Sequence, residues 1–310
     1  DLDFNAEIDP DVCEMLYTAV PTSEESKLLL NYSGNVSDLR DAEQQVLPLA
    51  RFCNPTVDKR LQFLLFNHAL PGLVADINMG CSMLQIALQN VKESTAIRAV
   101  LRHTRQLGNL LNHGLTQFSN EAVTGFSIDI LDRLVLLKAS SDARISLLHV
   151  LVSQLVVEDA SLLTGLRALS GDICQALERP INTLADNIAA IHQEVEQCSK
   201  CAEEVKAAAA LDGEGDAMAS NLASLAENAA LQTSLLDEQL SRTRSLANEA
   251  LGFFGEAVEN TPSIDVKVEE LLKMLAHFLS CVDRVYINEV KDRPTMLFAC
   301  CGQERALLSL

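Results

Sequence analysis

The sequence contains no tryptophan, only 3 tyrosines, and few of the residues that interrupt helices, with 13 glycines and 8 prolines in 310 residues. Chains built from β-strands need frequent turns, so this scarcity weighs against a sheet-based fold. No apolar run approaches the roughly 20 residues of a membrane-spanning helix, and no basic stretch followed by an apolar run opens the chain. We therefore expect no membrane span.

Basic residues are also scarce, with 24 Lys and Arg against 43 Asp and Glu and a net charge of −19. Nucleic-acid binding needs a basic surface, so this balance argues against it. One part of the chain departs from the trend, because residues 51–110 are net basic. This segment is either a set of solvated helix faces or a surface for an acidic partner. Its basic residues are Arg51, Lys59, Arg60, Lys92, Arg98, Arg102 and Arg105.

Nothing in the sequence predicts an enzyme. The nine cysteines are scattered, and a large leucine-rich chain needs no disulfides, so we expect reduced thiols in an intracellular protein. The pair Cys198 and Cys201 falls inside a helical apolar stripe, which favours core cysteines over a zinc or redox site. The six histidines form no known catalytic or zinc motif, and His149 reads as a core histidine. We expect no catalytic residue, no metal and no cofactor.

Leucine and alanine dominate the composition, and both favour helix. Apolar periodicity predicts an all-α chain in which no segment shows sustained β alternation. Pro21-Thr22 and Asn54-Pro55 are predicted helix starts, and a loop is predicted around 114–125. The predicted helices are 9–19, 22–30, 38–51, 55–68, 70–92, 94–113, 127–139, 142–157, 161–210, 217–258 and 264–292.

A heptad stripe runs from Leu184 to Val205, and an apolar face continues from Leu222 to Leu240 beyond the polar turn 212–216. Two long helices joined by a short loop fold back on each other, so we predict an antiparallel hairpin. The alternative is an intermolecular coiled coil.

The most specific pattern lies between Leu107 and Leu155. Leu107-Gly108-Asn109-Leu110-Leu111-Asn112 is followed by a polar loop, by Gly125-Phe126, by a leucine-spaced segment ending at Lys138, and by Leu147-Leu148-His149. This order and spacing resemble the core of the formin homology-2 domain of the formin family, with its G-N-x-x-N turn, variable loop, G-F motif and L-L-H helix.

Flanking matches extend the resemblance over residues 1–293, and 294–310 form a tail of unknown role. Pro21-Thr22-Ser23-Glu24-Glu25 resembles the family's P-T-x-E-E motif, Lys59-Arg60-Leu61 its R-L helix, and Phe254-Gly255-Glu256 its F-G-E motif. The chain departs from the family at Gln45-Val46, where an aromatic residue is usual, and before Lys138, where Asp-Thr is common. We expect a divergent relative.

The resemblance implies an elongated all-α architecture of knob, long helical hairpin and post. It also implies that the chain is a partial domain, since it begins at Asp1 and carries neither the Trp-bearing N-terminal lasso nor the first knob helix with its actin-contacting Ile.

The function implied by the resemblance is actin assembly in the cytoplasm. Such a domain nucleates filaments and caps the barbed end processively as a head-to-tail dimer, and profilin–actin is delivered by upstream proline-rich sequence. The dimer residues on the post would be Gly108, Asn109, Asn112, Gly125 and Phe126. The actin-binding residues would be Lys138, Lys59 and Arg60.

Each of these residues also has a simpler interpretation. Asn109 and Asn112 can bond the backbone of a docked peptide or merely terminate a helix. Lys138 is either an actin contact or a solvated surface lysine. The whole chain is either an actin assembler or a helical scaffold that kept the fold and binds another partner.

Overall fold

The computed structural model describes residues 9–50, 55–112, 123–139, 143–212, 217–256 and 261–287. The described chain is helical apart from turns and one isolated antiparallel bridge between Lys138 and Ser146, which confirms the predicted all-α class. It divides into two compact units, one of residues 1–78 and 186–238, the other of residues 79–185 and 239–310. The predicted domain boundary at 293 lies outside the described residues.

The first unit opens with three short helices, and side chains cap the starts of the first two. Asp9 caps α1, and Thr22 caps α2 in a reciprocal capping box, in which Thr22 N donates to Glu25 Oε2 at 2.9 Å. Such a box satisfies amides that a helix start leaves unpaired. The helices are α1 (Pro10–Ala19), α2 (Ser23–Leu30) and α3 (Asp41–Ala50), with a 3-10 turn at Val36–Asp38.

Three long helices, α4 (Pro55–Glu93), α9 (Ile181–Asp212) and α10 (Ala217–Phe253), contribute residues to both units. Within the first unit, α9 and α10 pair antiparallel: His192 Nε2 lies 2.8 Å from Asp237 Oδ2, and Ala202 packs in one cluster with Ala226. The predicted hairpin is therefore present. Its turn at 213–216 lies outside the described residues.

The apolar stripe predicted for α9 is buried from Leu184 to Ala202, whereas the side chain of Val205 is outside the described set. Cys198 and Cys201 are buried against Phe63, as predicted for core cysteines. Burial raises the pKa of Cys198 to about 11, because a thiolate there would lose its hydration.

The second unit is organised around α7 (Leu147–Asp159). Leu148, Leu151, Val152 and Leu155 are fully buried on it, because α7 packs against three other helices. These are α5 (Thr95–Asn112), α8 (Ser161–Leu177) and α11 (Thr261–Val285), and α11 also packs on α6 (Ile130–Arg133). An ion pair ties α10 to α11, where Arg244 Nη2 lies 2.6 Å from Asp265 Oδ2.

Several predicted helix bounds were wrong, among them the end of the helix predicted for 217–258, which lies at Phe253. The segments 55–68 and 70–92 form one helix, α4, which continues through Pro71 with Leu70 and Ile77 buried on either side of the proline. The predicted helix 161–210 is two, since Pro180 lacks the amide hydrogen that would continue α8 into α9.

The predicted helix 127–139 shrinks to the single turn of α6, and the predicted start of α7 at 142 moves to Leu147. Both errors have one cause. Leu137 O accepts from Leu147 N at 2.8 Å, and Ala139 N donates to Ile145 O at 2.8 Å, so the chain here bonds across a hairpin instead of along a helix.

Candidate functional site

Most residues of the predicted dimer surface line one small cavity in the second unit. We call it the Gly108 cavity; its volume is about 220 Å³. The last turns of α5 form one wall, and the segment leading into α6 and α7 forms the other. The lining residues are Thr104, Arg105, Gly108, Asn109, Leu111, Asn112, Val123, Phe126, Ile130, Leu134, Leu137 and Leu147.

Asn109 has a structural task in this wall. Its Nδ2 donates to Val123 O at 3.2 Å, and its Oδ1 accepts from Val123 N at 2.9 Å. The side-chain amide thus makes the pair of hydrogen bonds that a neighbouring β-strand would make, and it holds Val123 beside α5. Asn109 therefore binds an extended backbone segment, but that segment belongs to its own chain.

Two features leave the Gly108 cavity ready for an occupant. A Cβ added at Gly108 would meet no atom within 4 Å, so this glycine leaves open space on the cavity side of α5. Thr104 is 4% exposed, and its Oγ1 has no hydrogen-bond partner among the described residues. A buried hydroxyl without a partner is unfavourable, and an occupant with a polar group can supply the missing bond.

Lys138 lies at the bridge to Ser146, where its side chain is exposed. His149 fixes the Ser146 side of this bridge, because its Nδ1 accepts a hydrogen bond from Ser146 N at 3.0 Å and so caps α7. The Leu147-Leu148-His149 motif thus combines two buried core leucines with a buried histidine that fixes the backbone opposite Lys138.

Lys59 and Arg60 lie in the first two turns of α4, in the first unit, and their side chains lie outside the described set. Their predicted role stays a prediction.

A second cavity, of about 560 Å³, adjoins Gly125 and is lined by arginines and phenylalanines. We call it the basic pocket. Arg98, Arg102 and Arg105 occur at positions i, i+4 and i+7 of α5, which is one face of a helix. The remaining lining residues are Leu101, Thr124, Gly125, Phe126, Ile128, Phe253 and Phe254. Gly125 thus belongs to this pocket and not to the Gly108 cavity, whereas Phe126 lines both.

Contacts hold two of these arginines in place. The Arg98 guanidinium lies 5.3 Å from the centre of the Phe253 ring and donates to Lys92 O at 3.1 Å. Arg102 Nη2 donates to both carboxylate oxygens of Glu158, and His103 Nε2 lies 2.6 Å from Glu158 Oε2. The Arg102 hydrogen bonds, followed by that of His103, hold the pKa of Glu158 below its ordinary value.

The phenylalanines are positioned by the end of α10. Gly255 has φ of +79°, Glu256 N donates to Leu251 O at 2.9 Å, and Gly255 N donates to Gly252 O at 3.1 Å. This pair of bonds is the Schellman arrangement that closes a helix on a left-handed glycine. The Phe254-Gly255-Glu256 motif is therefore a helix end that brings Phe253 and Phe254 to the basic pocket. Sequence reasoning identified the motif but not its pocket.

Within the described ranges, no group of three or more His, Cys, Asp or Glu could hold a metal ion. Over the same ranges no single helix is long and apolar enough to cross a membrane, and only the bent pair 147–159 with 161–204 meets that test jointly. The described part of the chain is thus an all-helical module, and the predicted dimer residues lie at two neighbouring cavities of its second unit.

Comparison with known proteins identifies the module. Residues 2–283 match the family described as Formin Homology 2 Domain, so the chain belongs to that family. Formin-like protein 21b of Arabidopsis thaliana is 29% identical over 184 residues, which is 59% of this chain and 44% of that protein. Formin-like protein 5 of Oryza sativa subsp. japonica is 24% identical over 289 residues, or 92% of this chain and 17% of the relative. The chain thus spans less than half the length of either relative.

Proposed function

We propose that this chain is the actin-assembly module of a formin, which nucleates filaments and caps the barbed end processively in the cytoplasm. It does so as a head-to-tail dimer when an N-terminal lasso of the family's kind precedes it, with profilin–actin delivered by proline-rich sequence further upstream. The module acts by binding and not by catalysis. The observation that carries the proposal is the family match over residues 2–283.

The Gly108 cavity is the proposed dimer contact. Gly108, Asn109, Asn112 and Phe126 line it, and Gly125 lies beside it in the basic pocket. Its mostly apolar lining suits a large apolar side chain of the partner's lasso, and Thr104 Oγ1 offers that segment a hydrogen bond. The proposed actin contacts are Lys138, Lys59 and Arg60, which would meet an acidic surface of actin.

Dimerisation explains processive capping through avidity. Each half-ring holds actin weakly, and the closed ring keeps one half bound while the other steps, which adds about 10²–10⁴ to the apparent affinity. Without the lasso this gain is lost. The chain of residues 1–310 alone should therefore be monomeric in light scattering at micromolar concentration and should accelerate pyrene-actin assembly little.

The main test joins the chain to an N-terminal lasso of the family's kind and fills the Gly108 cavity. Gly108→Leu places an apolar side chain in that cavity without an initial clash at Cβ, so it should block the lasso and abolish the dimer. Gly171→Leu is the matched control, because a Cβ at this exposed α8 glycine also meets no atom within 4 Å and it lines neither cavity. Asn112→Ala should weaken the dimer by about 1–3 kcal/mol if its amide bonds the lasso.

Actin contact is tested on the intact dimer. Lys138→Asp should weaken barbed-end protection in a depolymerisation assay without dissolving the dimer, because a reversed charge turns attraction into repulsion. Lys273→Asp is the charge-reversal control: Lys273 is exposed and lines neither cavity, and the ion pair with Glu269 that it loses lies at the surface, where such pairs contribute little to stability. A lasso-joined dimer that leaves actin kinetics unchanged would support the rival reading, a helical scaffold with another partner.

A further inference from the structure

The basic pocket concentrates positive charge in a strongly acidic chain. Residues 95–112, which form α5, contain three arginines and one histidine but no acidic residue. All three arginines line the basic pocket, although the whole chain carries −19. Because such a chain repels polyanions in general, a polyanion that binds it must bind at a local site.

The charges in this pocket are only partly neutralised. Glu158 is a single carboxylate shared by Arg102 and His103. Arg98 bonds a backbone carbonyl, and neither Arg98 nor Arg105 has a carboxylate partner among the described residues. Two guanidinium groups thus keep their charge available to a ligand.

Aromatic rings orient the donors. Phe253 lies under Arg98, and Phe254 meets Phe253 edge to face with ring centres 4.9 Å apart. Cation–π attraction keeps the Arg98 guanidinium near the face of this ring, and the N–H groups that do not bond Lys92 O stay available to an acceptor. The apolar wall also lowers the local dielectric constant, which strengthens each charge contact.

We propose that the basic pocket binds a ligand carrying two or more phosphate groups, with Arg98 and Arg105 as the principal donors and Arg102 between them. The planar guanidinium fork matches two phosphate oxygens at once. Seven residues of helix separate Arg98 from Arg105 by about 10 Å, so the donors suit several phosphates on one ring better than a single anion. The volume of about 560 Å³ is that of a small-molecule site.

The test uses the 310-residue chain and does not depend on the proposed dimer or on actin. Inositol hexakisphosphate serves as the soluble probe in titration calorimetry at 150 mM salt. Vesicles of phosphatidylcholine with phosphatidylinositol 4,5-bisphosphate serve as the membrane probe in a sedimentation assay. Binding of the soluble probe alone indicates a free phosphate ligand, and binding of both indicates a lipid headgroup as a further source.

We expect one saturable site whose affinity falls about 10-fold or more in Arg105→Gln and in Arg98→Gln, the loss of a charge-assisted hydrogen bond. Arg105 bonds no acceptor among the described residues, so its replacement should leave the unfolding transition unchanged. Arg40→Gln is the control: it removes the same charge from an exposed site in the first unit and should leave the affinity intact.

Three outcomes overturn the proposal. One is the absence of saturable binding of either probe. Another is an equal loss of affinity in Arg40→Gln and Arg105→Gln, which indicates attraction by charge alone. In the third, neither phosphate probe binds, but an acidic peptide such as hexaglutamate does, and Arg105→Gln abolishes its binding. The pocket would then be a peptide site.

Discussion

Replacing Gly255 by alanine tests the turn that brings the phenylalanines to the basic pocket. Gly255 has φ of +79°, a conformation that destabilises an L-residue by about 1–2 kcal/mol. Alanine also restricts the unfolded chain, which stabilises the protein by about 0.4–1 kcal/mol. The added methyl group causes no steric clash, since a Cβ at this position meets no atom within 4 Å. The net loss should be about 1 kcal/mol of unfolding free energy.

The same substitution at Gly171 should have the opposite sign. Gly171 is exposed in α8, and a Cβ added to it also meets no atom within 4 Å. In a helix interior, alanine is favoured over glycine by about 0.5–1 kcal/mol. The two variants add the same methyl group to open space, so only the backbone conformation separates them.

The measurement is urea unfolding followed by circular dichroism, combined with amide hydrogen exchange at residues 251–256. Gly255→Ala should lower the midpoint and accelerate exchange of the Glu256 amide, whose bond to Leu251 O closes the turn. Gly171→Ala should raise the midpoint and leave that amide unchanged. If both variants shift the midpoint in the same direction, the assignment of a strained left-handed turn at Gly255 is wrong.

Three further predictions concern single side chains. Asp265→Asn should lower the unfolding free energy of the second unit by about 2–3 kcal/mol in urea unfolding, because it removes the buried carboxylate that pairs with Arg244 of α10. The ion pair of Glu158 should be intact above pH 4.5, the ordinary pKa of a glutamate, and should weaken as the pH falls through the lowered pKa of the folded state. Arg102→Gln should return the pKa of Glu158 toward 4.5, as measured by NMR of the carboxyl carbon. Cys198 should resist iodoacetamide at pH 8 in the folded protein while exposed Cys174 reacts, because the raised pKa and burial keep Cys198 a protonated, inaccessible thiol.

Each of these has a contradicting result. An Asp265→Asn protein as stable as the parent would mean that the ion pair merely offsets its own desolvation. A Glu158 pKa unchanged by Arg102→Gln would remove Arg102 as the cause of its shift. Equal labelling of the two cysteines, measured by mass spectrometry of tryptic peptides, would show that the α9 core opens readily.

The sequence predicted the elements that depend on local rules. The helix start predicted at Pro21-Thr22 is present and is closed by a capping box between Thr22 and Glu25, and the heptad stripe beginning at Leu184 is buried as its periodicity predicts. The errors arose where distant residues decide the local structure. The leucine spacing through Leu134 predicts a helix, yet backbone bonds from Leu137 to Leu147 replace it. Apolar periodicity cannot predict these backbone hydrogen bonds, because they join residues on two separate segments.

Part of the candidate site was visible in the sequence, although its role in a dimer stays a prediction. Gly108, Asn112 and Phe126 were singled out from motif spacing, and they do share one cavity. The basic pocket was missed, although the i, i+4, i+7 spacing of its arginines was visible along α5. What the spacing could not predict was the contact between this face and residues near 253, about 150 positions later in the chain. That contact depends on how the helices pack.

Two side chains, Arg105 and Phe126, line both cavities and so form a common wall. A ligand in one cavity that shifts either side chain would also change the shape of the other cavity. Thermodynamic linkage makes the effect mutual: a ligand that changes the affinity of its neighbour by some factor has its own affinity changed by the same factor. We therefore expect occupation of one cavity to change the affinity of the other, in either direction.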